Sequence, residues 1–153
     1  MAERDYTRLF RRDRGIDYYW NGTYWVSELR SDIIRGPDTG YTSSSSGLFS
    51  PVAHPGVYDL LLRSADLVFY IIAGTALDAS NKWDVSVTKR PSGTVIASWT
   101  IDSGSLNTWR SAGADVIDAL NGLTDFAYQV AWTKTGTPGT LVPLIRINYR
   151  LKG

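Results

Sequence analysis

The sequence predicts an all-β protein: an antiparallel β-sandwich of jelly-roll-like type with one short helix, preceded by an N-terminal arm and a β-hairpin. Three observations predict it. Segments that alternate apolar and polar residues recur at short intervals from Val57 onward. Gly, Pro, Asn and Ser punctuate them at turn positions. An Asn-Gly pair flanked by aromatic and β-branched residues marks a hairpin near the start.

Residues 1–35 read as a basic arm and then the hairpin. Arg4, Arg8, Arg11, Arg12 and Arg14 stand against Glu3, Asp5 and Asp13. Asn21-Gly22 tolerates the positive φ that both central positions of a type I′ turn require. A two-residue turn there pairs Trp20 with Thr23 and Tyr18 with Trp25. Tyr18, Trp20 and Trp25 then share one face as a compact apolar patch. Residues 36–56, rich in Gly, Pro and Ser, read as a linker. The sandwich is expected over 57–153.

Within it, the apolar runs 57–63 and 67–73 predict two central strands buried on both faces. Residues 82–90 put Trp83, Val85 and Val87 on one side. Arg90-Pro91-Ser92-Gly93 supplies a turn into 94–101, where Val95, Ala97, Trp99 and Ile101 share a face. Over 114–121, Val116, Ile117 and Leu120 fall on one side and Asp115 and Asp118 on the other, with Gly122 at a C-cap position. This is the predicted helix. Residues 126–133 align Phe126, Tyr128, Val130 and Trp132. Residues 141–151 align Pro143, Ile145, Ile147, Tyr149 and Leu151, and Pro143 places the start of that strand at a sheet edge. The strands after residue 57 are expected to be mostly hairpin-linked.

Composition excludes several functions. The chain has 16 basic and 15 acidic residues, a net charge of +1, so no global field favours nucleic acid or an anionic membrane. Cysteine is absent, which removes disulfides and thiolate metal sites. The charged start lacks the apolar segment of a signal peptide, and synthesis in a cytoplasm is expected. The longest apolar run, 67–73, is too short for a membrane-spanning helix.

Catalytic constellations are missing as well. His54 is the single histidine, set in a loop-like Ala-His-Pro-Gly context without a partner nucleophile. Asp59, Asp66, Asp84, Asp102 and Asp125 mostly fall at strand ends, where Asp serves turns, and nothing marks two of them as the facing pair a glycosidase requires. Asp78 and Asn81 are spaced as in ordinary turns. Gly36, Gly40 and Gly47 are too loosely placed for a phosphate loop. The expectation is no enzyme, no cofactor and no metal.

Six Trp and nine Tyr need an account. Trp83, Trp99 and Trp132 lie on apolar strand faces and read as core. Tyr19, Trp20, Tyr24, Trp25 and Trp109 have weaker claims to the core and suit a protein interface or a sugar-stacking platform. Beside an arginine-rich arm the interface is favoured. Its candidate residues are Arg8, Arg11, Arg12, Tyr18, Trp20 and Trp25.

The segment Asp17 to Val26, with its core Trp20-Asn21-Gly22-Thr23-Tyr24-Trp25, resembles short aromatic hairpins of tailed-phage fibre and appendage proteins. The stretch from Phe69 to Trp83, together with Thr88 to Pro91, Thr133 to Gly139 and Tyr149 to Gly153, resembles β-rich C-terminal domains in proteins of phages and cyanobacterial genomes. The resemblance implies a virion structural component: a tail fibre, a fibre adaptor or a capsid-decoration protein. It implies other virion proteins as partners and a homo-oligomer, with a trimer favoured by the symmetry of phage appendages. The alternative is a module that contacts host surface glycans through exposed aromatics.

Overall fold

The computed structural model describes residues 8–11, 16–23, 25–49, 59–120 and 127–152, with side chains for 16–23, 25–49, 62–113 and 127–152. The regular elements among the described residues are all strands. The first five are β1 (Arg8–Arg11), β2 (Ile16–Trp20), β3 (Trp25–Val26), β4 (Arg30–Arg35) and β5 (Ser45–Phe49). After them come β6 (Asp59–Ile72), β7 (Lys82–Arg90), β8 (Val95–Ile101), β9 (Arg110–Leu120), β10 (Ala127–Thr135) and β11 (Thr140–Lys152). They form two antiparallel sheets. A seven-stranded sheet runs β1-β2-β3-β11-β6-β9, with β4 also on β11, and a four-stranded sheet runs β5-β10-β7-β8.

The pairings nest. From β4 onward, β4 pairs with β11, β5 with β10, β6 with β9 and β7 with β8. A single long hairpin folded on itself gives this order, and rolling it up distributes its strands between two sheets. That is the jelly roll. Its connections mostly cross between the sheets and do not close hairpins; of the consecutive pairs from β4 onward, only β7 and β8 are hydrogen-bonded neighbours.

One core lies between the sheets. Leu67, Phe69, Ile71, Ile145 and Ile147 come from the larger sheet, and Trp83, Val85, Val87, Val130 and Trp132 face them from the smaller one. The alternation read from the sequence is thus borne out in β7, β10 and β11. Trp83, Trp99 and Trp132 are all core residues. The Trp83 indole N–H donates to the Gly139 carbonyl at 3.1 Å, and Tyr41 stacks on Trp132 at 5.3 Å.

The departures have physical causes. Runs 57–63 and 67–73 join, where described, in one strand, β6. Its pairing with β11 passes from Leu62↔Tyr149 to Ser64↔Asn148, so Arg63 is an extra residue in a β-bulge. The bulge shifts the inward set from Leu62 to Ala65, which breaks the alternation into two apparent segments. Nor is β6 buried on both faces: Val68 and Tyr70 are half-buried and Ile72 is exposed.

The expected helix at 114–121 is a strand where it is described: Ala114 to Leu120 belong to β9 and pair with β6. Val116 and Ile117 sit opposite the Arg63 bulge, between the pairs Leu62↔Asp118 and Ser64↔Asp115. That irregularity produces the spacing of apolar residues that imitates a helical face. A two-turn helix nucleates poorly alone, and pairing with a long strand satisfies more backbone groups.

In β8 a second bulge places Ile96 between Val87↔Ala97 and Thr88↔Val95, and Val95 turns out to solvent. Pro143 is not at an edge. It pairs with Phe69 on one side, and its carbonyl accepts from Gly36 N at 3.1 Å on the other. Its missing amide falls where β4 has already ended, so no ladder bond is lost inside the sheet.

The expected boundaries at 35 and 56 do not separate an arm and a linker from the sandwich. Ile16, Tyr18 and Ile34 belong to the same core cluster as the later strands, and Ser45 to Phe49 form the edge strand β5. Removing residues 1–35 deletes β4 and should abolish cooperative thermal unfolding followed by circular dichroism. Removing only 1–26 keeps the nested strands and should leave a cooperative transition at a lower midpoint. Cooperative folding of the shorter chain would show that β4 is dispensable.

Candidate functional site

The hairpin at the start of the chain is built from β2 and β3. The register is Tyr19↔Val26 and Trp20↔Trp25, so four residues separate the closing pair and not the two expected. Gly22 takes a φ of 99°. The Asn21 carboxamide accepts from Thr23 N at 2.9 Å, a local bond that competes with continued pairing and lengthens the loop.

The register keeps Tyr18, Trp20 and Trp25 on one face, but the packing of that face on the core changes the expected patch. Tyr18 points into the core and is fully buried, at 0% exposure. Trp25 is half-buried and packs against the core cluster. Trp20 is 44% exposed and leans on Trp25, with ring centres 5.8 Å apart and planes at 60°. The opposite side of the hairpin carries Tyr19, under the Arg150 guanidinium at 5.2 Å. Of the candidate interface residues, the structure therefore brings Trp20 and Trp25 together and withdraws Tyr18. In β1, Arg8 stands opposite Tyr19 and Arg11 opposite Ile16 in the backbone register. Arg12 lies outside the described residues.

A second aromatic pair stands at the other end of the larger sheet. Trp109, just before β9, is 63% exposed, and its ring meets Tyr70 of β6 at 5.5 Å and 54°. Sequence reasoning set Trp109 apart as a poor core residue but gave it no partner. Tyr70 was hidden in an apolar run, and only the pairing of β6 with β9 brings them together.

Several of the described titratable groups are engaged structurally. Asp66 receives Arg146 at 2.9 Å. Burial pushes the Asp84 carboxyl up, but the Thr100 hydroxyl at 2.6 Å and Lys82 at 3.1 Å outweigh it and hold it below the usual range. Burial first, then the charge of Asp32 and the neighbouring Tyr149, pushes the Tyr128 phenol far up. Tyr149 donates to buried Asp32 at 3.2 Å. Among the described residues, no group of three or more His, Cys, Asp or Glu could hold a metal. His54 and Asp125 lie outside the described residues.

The class that this architecture defines is the two-sheet jelly roll with an added N-terminal hairpin. No protein-family model matches the sequence, and no curated protein matches it. Among solved structures, it is similar to part of dimeric latent PorU from Porphyromonas gingivalis, with 10% identity, a TM-score of 0.49, and coverage of 81% of this chain and 13% of that one. It is also similar to part of the insecticidal delta-endotoxin Cry8Ea1 from Bacillus thuringiensis, at 12% identity and TM-score 0.42 over 74% of this chain and 19% of that one. A third is the VP2 subviral particle of infectious bursal disease virus, at 12% identity and TM-score 0.40 over 97% and 38%. The chain spans less than half the length of each of these, and likenesses this distant carry no argument for function.

Burial assigns Tyr18 to the fold and not to a contact surface. Its hydroxyl is buried with no hydrogen-bond partner. Tyr18→Phe should therefore change stability by less than about 1 kcal/mol in denaturant melts, while Tyr18→Ala should cost about 3–5 kcal/mol. A large loss in the Phe variant would reveal a working hydroxyl.

Proposed function

We propose that this chain is a non-enzymatic structural protein of a virus particle, of the tailed-phage fibre, fibre-adaptor or capsid-decoration kind, and that it docks on its neighbours through the β2–β3 hairpin. The observation that carries the reading is the position of that hairpin. The nested roll from β4 to β11 is complete without it, yet β3 is added to β11 at Lys152↔Val26 and holds Trp20 half out of the protein. An exposed indole braced by a second indole is a low-entropy anchor, because neither ring must be ordered on binding.

The fold supports the reading by kind, since double-sheet jelly rolls serve capsid and lectin domains. The resemblance of residues 17–26 to phage appendage hairpins points the same way. Arg8 and Arg11 of β1 stand in register with Tyr19 and Ile16 of β2, the first strand of the hairpin. A homo-oligomer, in this reading a trimer, presents several copies of the anchor at once and multiplies weak contacts into firm attachment.

Trp20→Ala is the cleaner probe than Trp25→Ala, because Trp25 also packs on the core. Loss of an interface anchor costs about 2 kcal/mol or more. Particles assembled with the Trp20→Ala chain should carry it at a small fraction of normal copy number, while its melting point stays close to that of the parent. Unchanged incorporation would sink the docking role. Light scattering of the purified chain should give three times its 17.0 kDa mass; a monomer at all concentrations would remove the trimer.

A further inference from the structure

The second aromatic pair is held by a loop whose own contacts fix it in place. Residues 102–109, between β8 and β9, read Asp-Ser-Gly-Ser-Leu-Asn-Thr-Trp. Asn107 ties this loop to the end of β6 twice: its amide donates to Ile71 O at 2.9 Å, and its side-chain oxygen accepts from Ala73 N at 3.1 Å. Asn107 takes a φ of 56° to do so, a conformation that Asn adopts more readily than most residues. Leu106 packs against the core from the same loop.

Arg110 secures the other side. Its guanidinium lies over the Phe69 ring at 4.6 Å and donates to Ser103 O. Gly104, at a φ of 92°, leaves room for it, because a Cβ there would collide with the guanidinium. Burial draws the Arg110 pKa down, but the group is engaged with the loop and is no free charge for a ligand. Arg110 and Trp109 are consecutive at the strand start and point to opposite sides. Anchoring Arg110 inward therefore aims Trp109 outward.

The result is a shelf: a Trp and a Tyr at 54° to each other, on a sheet face where Val142 lies opposite Tyr70. The loop that carries Trp109 exposes Ser103, Ser105, Asn107 and Thr108, and Asp102 is its single ionisable side chain. Tilted aromatic rings offer apolar area to a flat C–H face, and hydroxyls and amides suit a ring of hydroxyl groups. A protein hot spot would more usually add cations or carboxylates at the rim. The loop pays little ordering entropy on binding, because it is already tied down.

We propose that the Trp109–Tyr70 shelf binds a neutral hexopyranose unit of a glycan. This surface lies far from the hairpin. Along β11, Val26 stands opposite Lys152 and Tyr70 opposite Val142, ten residues apart, or roughly 33 Å at the rise of an extended strand. One end can therefore be docked while the other meets a sugar.

The test uses the full chain labelled with nitrogen-15, titrated separately with glucose, galactose, mannose and N-acetylglucosamine to tens of millimolar. The Trp109 indole N–H is assigned as the signal missing from Trp109→Phe. At least one sugar should shift that signal saturably, and Trp109→Ala should weaken the binding tenfold or more while Trp20→Ala leaves it unchanged. If none of the four moves the Trp109 indole, or if Trp109→Ala binds as well as the parent, the proposal fails. Self-association that disappears in Trp109→Ala would also overturn it, in favour of a second copy on the shelf. The docking role is read from Trp20→Ala and fails or stands separately.

Discussion

Strand β11 is hydrogen-bonded along both edges, and the rest of the molecule is arranged around that double ladder. On one side it pairs with β6 from Thr140↔Ile72 to Lys152↔Asp59. On the other it pairs with β4 between Leu144↔Arg35 and Tyr149↔Arg30, and then with β3 at Lys152. Its inner face supplies Leu141, Ile145, Ile147, Tyr149 and Leu151 to the core. Its outer face carries a polar ladder: Ser31 donates to the Asn148 side chain at 2.5 Å, and Asn148 donates to Ser64 at 2.8 Å. Beside it Arg146 reaches Asp66 of β6. Such cross-strand pairs fix the register, because a slip of one residue would expose the apolar set and bury this one.

Much of the sandwich was legible because alternation survives wherever a strand has one wet face. The strands around Trp83, Trp132 and Ile147 are examples, and so is the core role of the three tryptophans. Alternation failed where bulges occur. Arg63 divided one strand into two apparent ones, and Val116-Ile117 opposite it imitated a helix. Ile96 did the same on a smaller scale and turned Val95 outward. A bulge inserts one residue into a period of two, and nothing in local propensity announces it. Strand β5 was missed for another reason: Ser45, Ser46 and Gly47 have low strand propensity, and only the partner β10 makes them extended.

The candidate surfaces were half legible. The aromatic surplus was visible in composition, and the hairpin was found where its Asn-Gly sits. Its register was not, because a four-residue loop and a two-residue turn are both compatible with the same flanking residues. Both registers leave Tyr18, Trp20 and Trp25 on one face; what takes Tyr18 to the interior is the packing of that face on the core. Trp109 could be recognised as spare, but its neighbour Tyr70 lies 39 positions earlier in the chain. Pairing of that kind is a property of sheet order, which sequence pattern constrains only loosely.

The nested order also bears on how the chain reaches this state. Ser31 and Asn148 meet across a separation of 117 residues, so β4 can find its mate only after every intervening strand has been made. The turn between β7 and β8 closes the shortest loop of the nest, and each outer pair closes over the one inside it. Loop-closure entropy favours that sequence of events. A topology dominated by such distant pairings places the protein among slow folders. While β11 is awaited, the edges of β4 and β6 stand open to any other strand, including those of sister chains emerging nearby. Rapid, concentrated synthesis is therefore the condition under which this fold is most exposed to mispairing.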